Sequence, residues 1–259
     1  MPQPRDFSTA EAGNLEQFAA DHGLIFSAVD ANPSYPGAIF SEWSNRLAVN
    51  HVRSTEGRFF DAGEFRYDMP AGKAGPATMR WGFIAVHLDR PLPHIVLEAK
   101  QHSNWFTGGL PLDYADEQKL SLEGDFDEHF TLYCPAGYET DALYIFAPDL
   151  MALLIDETGG KHVEIVGEWL FVYWQLPFGR VWNEQTEQVF RIIDVVGAKA
   201  VRQTKAYVND RPSRINTVSG RSRYSKVFWG TIIIVGAVTV IACAVAVFTS
   251  IANGFSQLP

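Results

Sequence analysis

The sequence predicts an α+β fold, built on a mostly antiparallel sheet and followed by a single transmembrane helix. Three observations favour this fold class. Short apolar or alternating segments, separated by turns that contain Gly and Pro, indicate strands. Helical periods predict an N-terminal helix, a mid-chain helix and a C-terminal closing helix. Residues 227–252 form an apolar run without any charged residue.

The first part of the chain predicts one short helix and then a meander of strands. The helix begins at a capping box, Ser8 with Glu11, follows a helical period over residues 15–22 and ends at Gly23. Pro91 and Pro93 separate the last two strands. The predicted strands are 37–40, 46–53, 58–69, 79–88 and 94–99.

Residues 100–123 follow no period and predict a long irregular loop. Loops of this length often cover or bind something, so this segment is the best place for a ligand lid. The alternative is an ordinary surface loop that is fixed to the domain by the packing of its aromatic residues.

The most regular part of the sequence follows this loop. It predicts a strand at 125–133, a helix that begins at Pro148 and ends at Gly159, and a type II′ hairpin at Gly167-Glu168. The second hairpin strand, 169–174, is apolar on both faces and is therefore predicted to be central. A closing helix, capped by Asn183, carries its apolar face to residue 200.

The block Leu122–Trp174, with its phrases FDEHFTLY and APDLM, resembles a bacterial family of membrane-anchored domains of unknown function, as does RPLPHIVLEAK at 90–100. The resemblance implies the fold and the topology. Because the family has no assigned activity, it carries over no catalytic or binding residue. Relatives favour a hydroxyl residue at the position of Ala147, where it would cap the helix that begins at Pro148.

Charge divides the chain into an acidic head and a basic segment. Residues 1–194 hold 13 bases and 29 acids, whereas residues 195–259 hold eight bases and one acid. An acidic head is a poor partner for nucleic acid, whose phosphates bind clustered Lys and Arg. The basic segment is instead attracted to anionic lipid headgroups. The residues that we expect to contact lipid are Arg211, Arg214, Arg221, Arg223 and Lys226.

The apolar run 227–252 predicts a membrane anchor. As a helix it would extend about 39 Å, which is enough to cross a hydrocarbon core of about 30 Å. Its Ile, Val and Phe residues favour insertion by about −4 to −8 kcal/mol. The bases that precede it predict that the head is cytoplasmic. Residues 1–24 have no basic region followed by an apolar one, so we expect no secretory signal there. The predicted divisions are a cytoplasmic domain, 1–200, a basic juxtamembrane linker, 201–226, the span, 227–252, and a short external tail, 253–259, in a tail-anchored topology.

The densest group of polar residues is Glu123 with Asp125, Asp127, Glu128 and His129. These side chains could supply a general base or ligands for a hard metal ion. Their alternation with apolar residues also fits the solvated side of a half-buried strand. Residues 158–161 have the Gly residues of a helix stop rather than those of a phosphate loop, and the two cysteines, Cys134 and Cys243, predict no disulfide.

The sequence therefore predicts a membrane-anchored cytoplasmic domain that binds or scaffolds, with the lipid bilayer and a protein as partners and with no cofactor or metal. One alternative is a membrane-bound hydrolase that uses the carboxylates and the histidine of 123–129. Another is a module of pleckstrin-homology-like shape that binds lipid headgroups, which only the order of strands and a closing helix suggests.

Overall fold

Strands make up most of the first hundred described residues, and helices are concentrated in the second half of the chain. The computed structural model describes residues 15–31, 33–40, 44–70, 76–100, 109–112, 114–122, 124–176, 185–205, 207–208 and 215. In chain order, the helices and strands are α1 Leu15–Asp21, β1 Leu24–Ala31, β2 Ser44–Ser54, β3 Phe60–Pro70, β4 Pro76–Ala99, a 3-10 turn Asp116–Gln118, β5 Lys119–Leu120, α2 Phe126–His129, β6 Phe130–Tyr133, α3 Glu139–Ile145, α4 Pro148–Thr158, β7 His162–Gln175, α5 Thr186–Arg191, a π-helical segment Ile192–Gly197 and α6 Ala198–Thr204.

The described strands form one antiparallel sheet of seven strands. β4 lies at its centre and is long enough to pair with different neighbours along its length. One edge of β4 pairs with β3 near its beginning and with β6 near its end, and its other edge pairs with β7. Beside the beginning of β4 the sheet therefore continues through β3 and β2 to β1. Beside the end of β4 it continues through β6 to β5.

β4 and β7 both change the face to which alternate side chains point, and they do so at the same level of the sheet. In β4 the even residues Ile84 and Val86 face the helices, but farther along the odd residues Ile95 and Leu97 do so. The register shifts between these two parts, around the pairing of Leu92 with Gly167. Gly167 has a φ of +57°, which a residue with a side chain rarely adopts. The paired irregularities keep apolar residues on both faces of two continuous strands.

Each face of the sheet is buried against a different part of the chain. The helix-side core lies between the sheet and the helices and includes Phe18, Leu150, Leu154, Phe190 and Val196. The second core lies on the opposite face. Residues 33–40, which we call the strap, cover part of that face with Ile39 and Phe40. Full burial of each large apolar side chain contributes roughly 1.5–3 kcal/mol, so both faces of the sheet are stabilised by packing.

The structure confirms the α+β class with its antiparallel sheet and confirms several predicted elements. β2 and β3 lie within about two residues of their predicted positions, and α1 ends within two residues of the predicted stop at Gly23. The helix at Pro148 ends at Gly159, which has a φ of +58°. In the closing helix the predicted apolar face is buried, although six residues of the helix are π-helical. Its residues are Val189, Ile192, Ile193, Val196 and Ala200. The caps predicted at Ser8 and Asn183 lie outside the described residues.

Several predictions about strand boundaries are wrong. Residues 37–40 form a turn of the strap rather than a strand, because Phe40 N bonds to Gly37 O. The strand predicted at 125–133 is interrupted, because 126–129 form the helical turn α2 and only 130–133 are a strand. Pro91 and Pro93 do not break β4, whose register shifts there instead.

The predicted type II′ hairpin at Gly167-Glu168 is also wrong, since β7 is continuous through both residues. The segment 169–174 is not central either. Among the described strands β7 pairs only with β4, and it is apolar on both faces because both faces of the sheet are covered. No helix or strand was predicted at the positions of β1 and α3.

The predicted membrane span, 227–252, lies outside the described residues. In the part of the chain that the structure describes, no helix combines the length and the apolar character that crossing a bilayer requires. Of the predicted linker, 201–226, the structure describes the end of α6, residues 207–208 and Ile215.

Candidate functional site

The polar cluster predicted at 123–129 lies at the surface of the domain, on and beside α2. Asp125 and Glu128 are exposed, and Asp127 and His129 are partly buried. The Asp127 carboxylate accepts hydrogen bonds from the Ser121 hydroxyl and from the Leu122 N–H.

The hydrogen bonds from Ser121 and Leu122 indicate that Asp127 stabilises the loop that precedes α2. The backbone carbonyl of Asp127 accepts a hydrogen bond from Lys100, and that of His129 accepts one from the Lys100 N–H. Within the described residues no three His, Cys, Asp or Glu side chains converge as metal ligands would. Glu123 and the five lipid-contacting bases at 211, 214, 221, 223 and 226 lie outside the described residues.

The strand β1 forms the outermost edge of the described sheet. Among the described residues it pairs with β2 alone, so one of its edges has no strand beside it. Val29 is 62% exposed and Ile25 is 47% exposed. They lie on opposite faces of the sheet, because the pairing of β2 with β3 shifts in register between Val49 and Val52. Exposed edges are usually protected by Lys, Pro or a bulge. From Leu24 to Val29 the strand has none of these, since its sequence is Leu-Ile-Phe-Ser-Ala-Val.

An open depression of about 340 Å³ lies at the beginning of β1. It is lined by residues of the α1–β1 turn and of the turn after β2. The Thr55 hydroxyl donates to the Gly23 carbonyl at 2.8 Å and holds these two turns together. The residues that line the depression are His22, Gly23, Leu24, Ser54, Thr55 and Glu56.

The second face of the sheet contains a buried carboxylate, Glu164, that accepts three hydrogen bonds. The donors are His94 Nε2 at 2.7 Å, the Ala38 N–H at 2.7 Å and the Tyr173 hydroxyl at 3.0 Å. Glu164 is only 1% exposed. Charged acceptors of this kind are strong, so Glu164 ties the strap to the sheet at Ala38. Burial and then Glu164 raise the pKa of the Tyr173 hydroxyl well above its usual value.

A second buried carboxylate, Asp61, holds the beginning of the strap. The Tyr35 hydroxyl donates to Asp61 at 2.7 Å, and His51 Nδ1 lies 2.8 Å from the other carboxylate oxygen. Burial and the neighbouring Asp61 raise the pKa of Tyr35. The strap is therefore fixed at two carboxylates, each of which also contacts a histidine.

Lys161 is a buried cation on the helix side of the sheet, at the end of α4. It is 6% exposed, and its Nζ donates to Gln188 Oε1 at 2.7 Å and to the Thr158 carbonyl at 3.2 Å. The Trp174 ring centre lies 5.4 Å away. Burial lowers the pKa of Lys161 to about 8. In the opposite direction, burial raises the pKa of the Cys134 thiol to about 11, which makes it a poor nucleophile.

The sequence analysis did not predict the buried polar groups Glu164, Asp61 and Lys161, although the sequence contains one indication of them. Acidic and histidine residues within apolar strand segments, such as Glu164 in His-Val-Glu-Ile-Val, have no exposed face on which to lie. Such residues are buried only when they are hydrogen-bonded. The partners could not be identified from the sequence, because His94 and Glu164 are 70 residues apart.

No protein-family model matches the sequence. No curated protein sequence matches it either. Among solved structures, the chain is similar to the crystal structure of the mycobacterial trehalose monomycolate transport factor A, TtfA, with a TM-score of 0.48 and 14% sequence identity. The match covers 79% of this chain and 98% of that chain. A likeness at this level assigns neither a family nor a function to the chain.

Proposed function

We propose that this chain is a membrane-tethered binding domain that recruits a partner protein by strand addition at β1. In this proposal the head is cytoplasmic, the run 227–252 anchors it, and the basic flank lies on anionic headgroups. The proposal includes kinship with the bacterial family of membrane-anchored domains that the sequence resembles. One observation carries the binding function: within the described residues the outer edge of β1 has no strand beside it, and Val29 and Ile25 are exposed on its two faces.

An edge strand of eight residues can bind an extended peptide through its backbone N–H and C=O groups. The peptide's side chains would then contact Val29 on one face of the sheet and Ile25 on the other, so we expect apolar residues on both faces of the partner segment. The net charge of residues 1–194 is −16, which favours a basic partner and a faster encounter with it. The depression at the beginning of β1 can accept one side chain from the end of such a segment.

The membrane anchor is supported by the sequence alone. The run 227–252 has no charge, and five bases lie between residues 211 and 226. Each base near an anionic surface contributes about 1 kcal/mol, and the acidic head is repelled from the same surface. The head would therefore stand away from the bilayer and leave β1 accessible to a partner.

Site-specific photo-crosslinking in native membranes tests the binding function. A photoreactive amino acid replaces Val29 in the full-length protein, and Leu143, 51% exposed on α3, is the matched control position. We expect one crosslinked protein at position 29 that is absent at position 143. A second substitution, Ile25→Lys, should remove most of this product because it places a charge on the apolar contact. Equal crosslinking at both positions would contradict the proposal, and a product containing two copies of this chain would assign the edge to self-association.

The hydrolase alternative has less structural support, because the Asp127 carboxylate accepts hydrogen bonds that close its own loop. The alternative of a headgroup-binding module remains a prediction from the order of the elements.

A further inference from the structure

Ile215 lies in the basic segment between the closing helix and the predicted span, yet it is buried in the domain. Its side chain is 6% exposed and belongs to the second core. Its backbone N–H donates to His94 Nδ1 at 3.3 Å. A residue that served only as part of a free tether would have neither contact.

The His94 ring connects Ile215 to the buried network. Because Nδ1 accepts the hydrogen bond from Ile215, the ring proton lies on Nε2, which donates to Glu164. Glu164 is held in turn by Tyr173 and Ala38. The acceptor for Ile215 is therefore held in position by the same network that holds the strap.

We propose that the second face of the sheet is a docking site for the chain's own juxtamembrane segment, which is held there at Ile215. Charge favours this occupant, because Arg214 precedes Ile215 and the head is acidic. Arg221, Arg223 and Lys226 remain available to anionic headgroups. The proposal rests on the proposed membrane anchor for its consequence, which is that the head is held closer to the bilayer.

Docking at Ile215 also shortens the tether. From Ile215 to Val227 the chain has about 12 peptide units, which can extend at most about 40 Å. From Val208, which is exposed beyond the end of α6, about 19 units could extend about 65 Å. The contact therefore limits how far the head can move from the membrane and how freely it can turn.

Limited proteolysis of the full-length protein in nanodiscs tests the docking itself. Trypsin can cleave after Arg214, Arg221 and Arg223, and mass spectrometry measures the rate at each site. We expect cleavage of the Arg214–Ile215 bond to be at least tenfold slower than cleavage after Arg221. Ile215→Ser should remove this protection, and Ile215→Leu should retain it. Val208→Ser, at a position that is 74% exposed, is the control and should change nothing.

The result that would overturn the proposal is equal cleavage after Arg214 and Arg221 in the wild-type protein. An unchanged near-ultraviolet circular dichroism spectrum of Ile215→Ser shows that the domain remains folded. Energy transfer from a dye on the head to labelled lipids then tests the shorter tether, and Ile215→Ser should lower the transfer. Loss of lipid binding with protection retained would contradict the proposed anchor, whereas loss of protection with lipid binding retained would contradict the docking.

Discussion

Lys161 shows how burial of a single residue couples folding to pH. Its hydrogen bonds go to the uncharged oxygens of Gln188 and Thr158, and burial lowers its pKa from 10.5 to about 8. Below pH 8 the lysine is protonated in both the folded and the unfolded chain, and the fold carries the full cost of burying the charge. Between pH 8 and 10.5 the folded chain releases this proton first, so its stability rises.

We predict that this change appears as a difference between the wild-type protein and Lys161→Met. Across pH 8 to 10.5 the free energy of unfolding of the wild-type protein should rise by about 3 kcal/mol relative to the variant. Urea denaturation at a series of pH values measures both proteins. The comparison cancels the titration of the buried tyrosines, which the two proteins share.

Lys119→Met is the control, because its effect on the free energy of unfolding should change with pH in the opposite direction. Lys119 is exposed, and the hydrogen bond from its ammonium group to Asp116 raises its pKa. Any stabilisation by this pair is therefore lost, rather than gained, as the pH rises. A constant difference between wild type and Lys161→Met across the same pH range would show that Lys161 is hydrated in the fold.

At the scale of single residues, the sequence predicts burial better than it predicts partners. The closing helix shows its buried residues by their spacing, because burial there follows the helical period. The hydrogen bond between His94 and Glu164 depends on how β4 and β7 pair. Residue spacing within either strand contains no information on that register.

The strap is the element that depends most on close packing, and Gly37 is its critical residue. A Cβ atom at Gly37 would lie 2.0 Å from the Tyr173 hydroxyl oxygen and about 3 Å from the Phe171 ring. Either the strap or the ring must then move, and overpacking of this kind costs roughly 1–3 kcal/mol.

We predict that Gly37→Ala lowers the free energy of unfolding by about 2 kcal/mol. The same substitution should cost less in a Tyr173→Phe protein, because that protein lacks the oxygen that the Cβ atom would meet. A double-mutant cycle by urea denaturation measures this coupling. Additive effects of the two substitutions would mean that the strap does not contact Tyr173.

Helix α4 has a cap that the sequence leaves incomplete. Ala147 has the extended backbone of an N-cap, with φ −62° and ψ 153°, but no side-chain oxygen to accept a hydrogen bond. Ala147→Ser should therefore raise the free energy of unfolding by about 1 kcal/mol, as measured in urea. Ala152→Ser, at an exposed position inside the same helix, should instead lower it slightly. Equal effects of the two substitutions would contradict the cap.

A helix or strand could be predicted where its apolar residues keep one spacing throughout. It could not be predicted where that spacing changes within the element. α4 and the closing helix keep a helical period, and β2 and β3 keep strand-like patterns. β4 and β7 change parity around Leu92 and Gly167, and each therefore reads as two short strands. β1 was missed because its apolar residues lie on both faces of an exposed edge, which leaves little alternation to detect.

At the scale of the whole molecule, we propose that one part of the chain is buried in protein and another in lipid. The described head buries both faces of its sheet in protein. We propose that the run 227–252 is buried in lipid, and that the segment around Ile215 connects the two. In this proposal, the tether keeps both the binding edge at β1 and the docking site for Ile215 near the membrane.

Alkaline carbonate extraction of membranes that contain the full-length protein tests this central claim most directly. Two charges in the middle of the run, Val238→Arg with Ile241→Arg, should cost about 5–7 kcal/mol, which is similar to the whole favourable insertion energy. We predict that the wild-type protein and a Val238→Leu, Ile241→Leu control stay in the membrane pellet, and that the arginine variant moves to the supernatant. Release of the wild-type protein by carbonate would contradict the account.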